Sequence, residues 1–405
     1  MTYLKRALEP VLKQAATQFP AVVLTGPRQA GKTTLLKHLF GREYAYVSLE
    51  LPDIRAVALE DPRSFLDRFS PPVIFDEIQY APELLPYLKE MIDEARDEAG
   101  QFILTGSQNL LLIERVTESL AGRAAILRLL PMSRREAFGN LEAPLAWEAE
   151  QGTGVQRALS PRDLWREFLR GGYPELVANP GRNIQLWHAS YTQTYLERDV
   201  RSLRQVGDLT QFQNFLRALA ARSGQLLNLS DLARDLGVAV NTAKAWLSVL
   251  EATHQVFVVR PYFANIGKRL VKTPKVYFAD TGTLCHLTGL RDPEHAAAGP
   301  MAGSLMETAV VGEIIKTLTN RGLSPQVYFW RTAAGAEVDF LVEAGTKLIP
   351  VEVKKSATPR PAMAVSLRTL QRDLEGRVGP AYLVHAGDGR LPLGGGVTAA
   401  GFSEL

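Results

Sequence analysis

The sequence predicts an α/β protein: an N-terminal parallel sheet with a glycine-rich loop after its first strand, a helical middle segment and a second α/β core at the C-terminal end. Three observations predict it. Short apolar runs alternate with helical patterns over the first third, which implies a mostly parallel sheet with covered faces. Gly26–Thr33 sets two glycines, a lysine and a threonine between a strand and a helix. Gly139–Pro161 loses periodicity and gathers Gly, Glu, Gln and Ser, as a loop or linker between folded parts does. These features divide the chain into 1–140, a linker 141–161, a helical and winged-helix segment 162–290, and a last domain 291–405.

The first part takes its strands from Ala21–Thr25, Tyr44–Leu49, Val73–Phe75 and Phe102–Thr105, with a helical pattern over Pro82–Ala99. In the middle, Ser230 is placed to cap a helix through Asp231–Leu236. Gly237 turns the chain, and a second helix runs from Asn241 to Leu250, the helix-turn-helix arrangement. Val256–Val259 and Lys275–Phe278 then frame a basic tip, as in a wing. The last part expects a helix at Ser304–Leu318, strands at Gln326–Trp330, Glu337–Val342 and Leu348–Val353, a helix near Met363–Leu374 and a strand at Ala381–Val384.

Composition excludes several classes. The 405 residues are 46% hydrophobic and 22% charged, enough apolar material for more than one core and too much for wholesale disorder. The 46 basic and 43 acidic residues leave +3, which neither predicts nor excludes nucleic acid, because a basic face can sit on a neutral whole. Cys285 is the single cysteine, so an intrachain disulfide and a thiolate zinc site are excluded. No apolar run is long enough to span a membrane. Lys5, Arg6, Glu9 and Lys13 break up a signal-peptide core and leave an amphipathic helix. The expectation is a cytoplasmic protein without a membrane partner.

The chemistry gathers at five places. In Gly26, Pro27, Arg28, Gln29, Ala30, Gly31, Lys32, Thr33 and Thr34, the loop amides would cradle the phosphates of ATP. Lys32 would reach the outer phosphates, and the Thr33 hydroxyl would take a Mg²⁺ position. Asp76 and Glu77 end a buried strand; Asp76 can hold Mg²⁺ and Glu77 can activate the attacking water. After Thr105, Ser107 or Gln108 stands where a side chain could sense the γ-phosphate. Arg123 could stabilise charge on a neighbouring subunit's ATP, with Arg134 and Arg135 competing for that role. Near the other end, Glu352 and Lys354 share one face of a strand, Asp339 lies on the adjacent strand and Glu307 on the preceding helix. Finally, Asn241, Thr242 and Lys244 could enter a major groove while Lys268, Arg269 and Lys272 meet phosphates.

Taken in order, LTGPRQAGKTTLL, VIFDEIQ, ILTGSQ, SLAGR, GGYPE, YLERDV, YFADTG, YFWRTAAGAEVDFLV and PVEVKKS resemble the bacterial and archaeal AAA+-like ATPases that carry a C-terminal DUF4143 domain. The resemblance covers nearly the whole chain. It implies an AAA+-type ATPase sheet, a winged-helix segment and a C-terminal restriction-endonuclease-like fold related to PD-(D/E)xK nucleases. It makes Gly26–Thr33 the Walker A motif and Asp76–Glu77 the Walker B motif, with Glu307, Asp339, Glu352 and Lys354 as the acidic-helix, Asp and E-x-K positions. Val338 stands where that family of folds often has proline before the aspartate.

Three functions compete. The leading one is an ATP-hydrolysing motor or switch, assembled as a homo-oligomer such as a hexameric ring, acting on duplex or branched DNA of the Holliday-junction kind. The second is an ATP-gated, Mg²⁺-dependent nuclease. The third is a regulatory or defence-related nucleotide switch whose partner is a protein.

Overall fold

The computed structural model describes residues 3–106, 118–149, 160–196, 209–262, 273–332 and 335–405. It divides into two compact units. One comprises Met1–Met132, Ala252–His254 and Thr319–Leu323, and the other comprises Ser133–Glu251, Gln255–Leu318 and Ser324–Leu405.

The first unit is built on five parallel strands: β1 (Ala21–Thr25), β2 (Ala45–Ser48), β3 (Val73–Asp76), β4 (Phe102–Gly106) and β5 (Ala124–Arg128). Their order across the sheet is β2-β3-β4-β1-β5. Alternate residues serve opposite faces. Val23, Phe75 and Leu104 join a core with the helix Leu85–Glu94, whereas Val22, Leu24, Ile74 and Ile103 join a core with the helices Glu9–Gln18 and Lys32–Phe40. That two-sided burial explains why the strands read as continuous apolar runs rather than alternating ones. β5 falls in Ala-Ala-Ile-Leu-Arg, a weak strand signal; its pairing to β1 overrides the local preference.

The second unit holds an eight-stranded mixed sheet. Its strands are β6 (Val256–Pro261), β7 (Lys275–Phe278), β8 (Val327–Arg331), β9 (Glu337–Ala344), β10 (Lys347–Lys354), β11 (Ala381–His385), β12 (Leu391–Gly394) and β13 (Val397–Gly401). The order is β12-β13-β11-β10-β9-β8-β6-β7. β6 and β7 form the antiparallel hairpin that the wing pattern suggests, with Val256 opposite Phe278. They do not stand alone: β6 also pairs with β8 through Arg260 and Pro261, so the hairpin is one edge of the larger sheet. Its tip, with Lys268, Arg269 and Lys272, lies outside the described residues. At the opposite edge, Gly395 and Gly396 both have positive φ and close the β12–β13 hairpin. A two-residue turn of this kind needs φ > 0 at both centres, which glycine supplies without strain.

The helix-turn-helix consists of Leu229–Leu236 and Val240–Ala252 around Gly237, whose φ of 67° is left-handed. Its cap is Asn228 rather than Ser230: the Asn228 side chain accepts from the amides of Ser230 and Asp231, and the helix starts at Leu229. Ala243, Trp246, Leu247 and Leu250 are buried, while Asn241 and Lys244 are exposed and Thr242 is half-buried. Trp246 meets Phe212 and Phe215 edge-on, with ring centroids 5.5 and 5.3 Å away. Among the described residues no helix is long and apolar enough to cross a membrane.

Trp246→Ala should destabilise the protein by about 3–5 kcal/mol, the usual loss for a large buried aromatic. Denaturant unfolding followed by circular dichroism measures it, and a loss below about 1 kcal/mol would show that the indole is not a core member.

Candidate nucleotide site and a second charged cluster

The nucleotide loop leaves the C-terminal end of β1 and enters the helix Lys32–Phe40. Its wrap depends on backbone positions that few residues adopt. Gly26 has φ 145°, and a Cβ there would lie 2.0 Å from the Leu129 carbonyl oxygen. Gly31 caps the helix at φ 92°, and Gln29 is also left-handed at 63°. Lys32 is buried and donates to the Gly26 and Pro27 carbonyls at 2.9 and 3.2 Å, so the ammonium lies inside the loop. Arg28 reaches the Tyr80 hydroxyl at 3.4 Å.

Arg6, which the sequence reading took only as a charge in the N-terminal helix, braces this loop. It is buried, and its guanidinium donates to Ala30 O and Leu130 O at 2.8 Å each. An arginine twenty residues before the motif carries no local signal for that contact.

Asp76 is the hub of the site. Its carboxylate accepts from the Thr33 hydroxyl at 2.9 Å, from the Tyr46 hydroxyl on β2 and from the Thr105 hydroxyl on β4. Burial and the bond to Asp76 push the Tyr46 phenol well above its ordinary range. Thr105 also accepts from the Glu77 amide at 3.1 Å. Glu77 sits in left-handed backbone at φ 59°, ψ 50°, and its carboxylate accepts from the Gln79 side chain. The oxygens of Thr33 and Asp76 lie side by side, hard donors of the kind that hold Mg²⁺ when phosphates and water complete its shell. Ser107 and Gln108 lie outside the described residues; the polar side chain that β4 brings to Asp76 is Thr105.

The three arginines separate. Arg123 is held bidentately by Asp93, at 2.6 and 3.0 Å. Arg134 and Arg135 do not compete with it. Both are buried in the second unit, Arg134 against Glu167 and the Ser403 carbonyl, Arg135 against the Ala143, Pro144 and Glu404 carbonyls. They are structural because those carbonyls would lose their donors if either left.

In the second unit, the sheet gathers acids and lysines. Asp339 on β9 is buried and accepts from the Val353 amide at 2.8 Å. On β10, Lys354 donates to Glu352 at 2.5 Å, while the other Glu352 oxygen is buried without a hydrogen-bond partner among the described residues. Glu307, on the helix Ala302–Asn320, accepts from the Tyr277 hydroxyl at 3.1 Å. Lys275, four per cent exposed, lies 3.7 Å from Glu307 and 2.5 Å from Glu337. Burial, then the charge of Asp339, pushes Glu307 and Glu352 each up to about 8. Burial opposes charge on Lys275, but Glu307, Asp339 and Glu337 outweigh it and hold its ammonium charged. Lys275, Tyr277 and Glu337 were not among the residues singled out from sequence. Lys275 and Tyr277 are remote in sequence from the other members, and Glu337 reads as the polar start of a strand. Among the described residues, no three acid or histidine side chains stand close enough together to hold a metal ion.

Residues 18–138 match a family described as an AAA domain, residues 161–294 a domain of unknown function, DUF8612, and residues 302–405 a domain of unknown function, DUF4143. The chain is 32% identical over 396 residues to the uncharacterized protein Rv2008c of Mycobacterium tuberculosis and to the uncharacterized protein Mb2031c of Mycobacterium bovis. The match spans 97% of this chain and 82% of each relative. The chain belongs to the family of these two mycobacterial proteins, and it carries an AAA-type P-loop ATPase domain and a DUF4143 domain. Among solved structures, the Walker-type ATPase PABY2304 of Pyrococcus abyssi aligns with a TM-score of 0.45 at 18% identity, over 69% of this chain and 94% of that one. A RuvB variant of Thermotoga maritima aligns with a TM-score of 0.27 at 17% identity, over 63% and 86%.

Two outcomes follow from the geometry. Arg6→Ala removes the buried donor to Ala30 of the nucleotide loop and the one to Leu130, and should weaken binding of a fluorescent ATP analogue at least about tenfold while the protein stays folded. Unchanged affinity would show the brace to be dispensable. The raised carboxyls carry a sign: the folded state holds protons that the unfolded chain releases from about 4.5, so their contribution is lost as pH climbs toward about 8. In EDTA, the denaturation midpoint should fall between roughly pH 4.5 and pH 8, and Glu307→Gln should flatten that fall; equal slopes would refute it.

Proposed function

We propose that this chain hydrolyses ATP at the Gly26–Thr33 loop and uses the cycle to act on DNA, duplex or branched, as an oligomeric motor or switch. The observation that carries the reading is the Thr33–Asp76 bond of 2.9 Å, which joins the loop to the acidic end of β3. In the proposed cycle, the phosphates take the place of the loop carbonyls as partners of Lys32, and the loop amides donate to phosphate oxygens. Thr33 and Asp76 would hold Mg²⁺, which when bound neutralises charge on the phosphate oxygens. Glu77, turned by its left-handed backbone and steadied by Gln79, orients the attacking water and accepts its proton. Ser107 or Gln108 would monitor the terminal phosphate. Arg123 would act across a subunit boundary only after exchanging its Asp93 partner.

The DNA half rests on the second unit. Its acid–lysine cluster has the residue types of the PD-(D/E)xK nuclease fold, and its helix-turn-helix leaves Asn241 and Lys244 exposed for groove and phosphate contact. A second reading, an ATP-gated Mg²⁺-dependent nuclease, draws on the same cluster: the unpartnered Glu352 oxygen is a ready ligand position. Against it, Lys275 already occupies the middle of the acids. If no branched or duplex DNA binds at low salt, a switch with a protein partner takes the place of both.

Lys32→Ala should abolish ATP turnover, and Glu77→Gln should lower kcat by about 10²–10⁴ while retaining nucleotide binding. Turnover that persists in Lys32→Ala removes the P-loop assignment. Steady-state phosphate release measured with duplex, single-stranded and four-way DNA tests the substrate: stimulation by one form supports the DNA reading, and equal rates with all count against it. Mg²⁺- or Mn²⁺-dependent cleavage that is lost in Asp339→Ala and Lys354→Ala would instead establish the nuclease.

A further inference from the structure

The acid cluster of the second unit has the residue types of a divalent-metal site, and its geometry departs from one at Lys275. Glu337 and Asp339 stand two residues apart on β9 and share a face. Asp339 accepts from the Val353 amide at 2.8 Å, which brings it beside the Glu352–Lys354 stretch of β10. Lys275 comes from β7, the edge strand of the same sheet, and its side chain is buried. The ammonium sits 2.5 Å from Glu337 Oε1 and 3.7 Å from Glu307 Oε2. It also lies over the fully buried Phe329 ring, 5.5 Å from the centroid.

This seat suits an ammonium and not a divalent ion. Mg²⁺ demands a near-octahedral shell of oxygens, and an aromatic face supplies none. A cation over that face is attracted by the ring quadrupole. The carboxylate oxygens around it already have partners. Glu307 Oε2 accepts from the Tyr277 hydroxyl at 3.1 Å, Glu337 Oε2 lies 3.4 Å from Arg331, and Glu352 Oε1 accepts from Lys354 at 2.5 Å. Glu352 Oε2 is buried without a hydrogen-bond partner among the described residues, and one such oxygen does not make a metal shell. Buried carboxylates need a compensating charge. A lysine carried by the chain supplies it permanently, whereas a metal has to be drawn from solution.

We propose that Lys275 is the resident cation of this cluster: its ammonium stands in for the divalent metal that these residue types otherwise hold, so the second unit binds no Mg²⁺ or Mn²⁺ through Glu307, Asp339 and Glu352. This inference concerns the second unit alone and is independent of ATP hydrolysis at the nucleotide loop. It counts against the nuclease reading. It also has a converse: a neutral side chain of similar length at position 275 leaves the acids without their counter-ion and opens them to a divalent cation.

The experiment titrates nucleotide-free, full-length protein with Mn²⁺ and follows the free ion by electron paramagnetic resonance. Wild type, Asp339→Asn, Lys275→Met, Lys275→Arg and the double variant Lys275→Met/Asp339→Asn are compared. Lys275→Met should bind Mn²⁺ at least about tenfold more tightly than wild type, because an uncompensated acid cluster attracts a cation. That gain should vanish in the double variant, and Lys275→Arg, which keeps the charge, should behave as wild type. A wild-type Mn²⁺ site that is lost in Asp339→Asn would overturn the inference, and so would folded Lys275→Met without any gain. Should Lys275→Met fold poorly, the ¹⁵Nζ resonance of Lys275 in wild type decides. A signal left sharp by excess Mn²⁺ supports the resident ammonium, and paramagnetic broadening that Asp339→Asn relieves refutes it.

Discussion

A single buried carboxylate, that of Asp76, organises the nucleotide half of this protein. It takes hydroxyl donors from one helix and two strands: Thr33 at the start of the helix Lys32–Phe40, Tyr46 on β2 and Thr105 on β4. A charge that deep is tolerated because its oxygens are occupied by donors. The same bonds fix the loop, the acidic strand and the strand between them in one arrangement. β4 lies between β1 and β3, and Thr105 at its end bonds Asp76.

The two units use charge in opposite ways. In the first, cationic groups gather about the loop: Lys32 is folded onto the Gly26 and Pro27 carbonyls, and Arg6 braces the loop through Ala30. In the second, acids gather and the chain supplies its own counter-ions, Lys275 between Glu307 and Glu337, and Lys354 on Glu352. Such paired clusters lower the cost of burying charge. They also mean that any cation approaching the acids competes with a lysine already in place.

The hairpin after the helix-turn-helix shows how a local pattern acquires a different setting. By itself β6–β7 is an antiparallel hairpin. Paired to β8 it becomes an edge of an eight-stranded sheet, and its Lys275 and Tyr277 side chains become members of the acid cluster. This covers one exposed strand edge, a feature that proteins otherwise manage with charges or bulges.

Sequence alone determined the features that depend on short-range rules. The Gly26–Thr33 spacing, the apolar strands β1, β3 and β4, the acidic pair at the end of β3 and the Gly237 turn are all written in contiguous residues, because turn geometry, strand burial and helix periodicity act over a few positions. Periodicity of two placed Glu352 and Lys354 on one face. Tertiary structure decided the rest, because those contacts join residues far apart in the chain. Asn228 rather than Ser230 caps its helix through a difference of two residues in where the backbone turns. β5 is a strand because β1 pairs with it, not because Ala-Ala-Ile-Leu-Arg favours extension. Arg6 meets a loop more than twenty residues away, Lys275 meets Glu337 across sixty, and Arg134 and Arg135 are consumed by carbonyls near the C-terminal end. Their partners are chosen by packing, and no local pattern encodes packing between segments that distant.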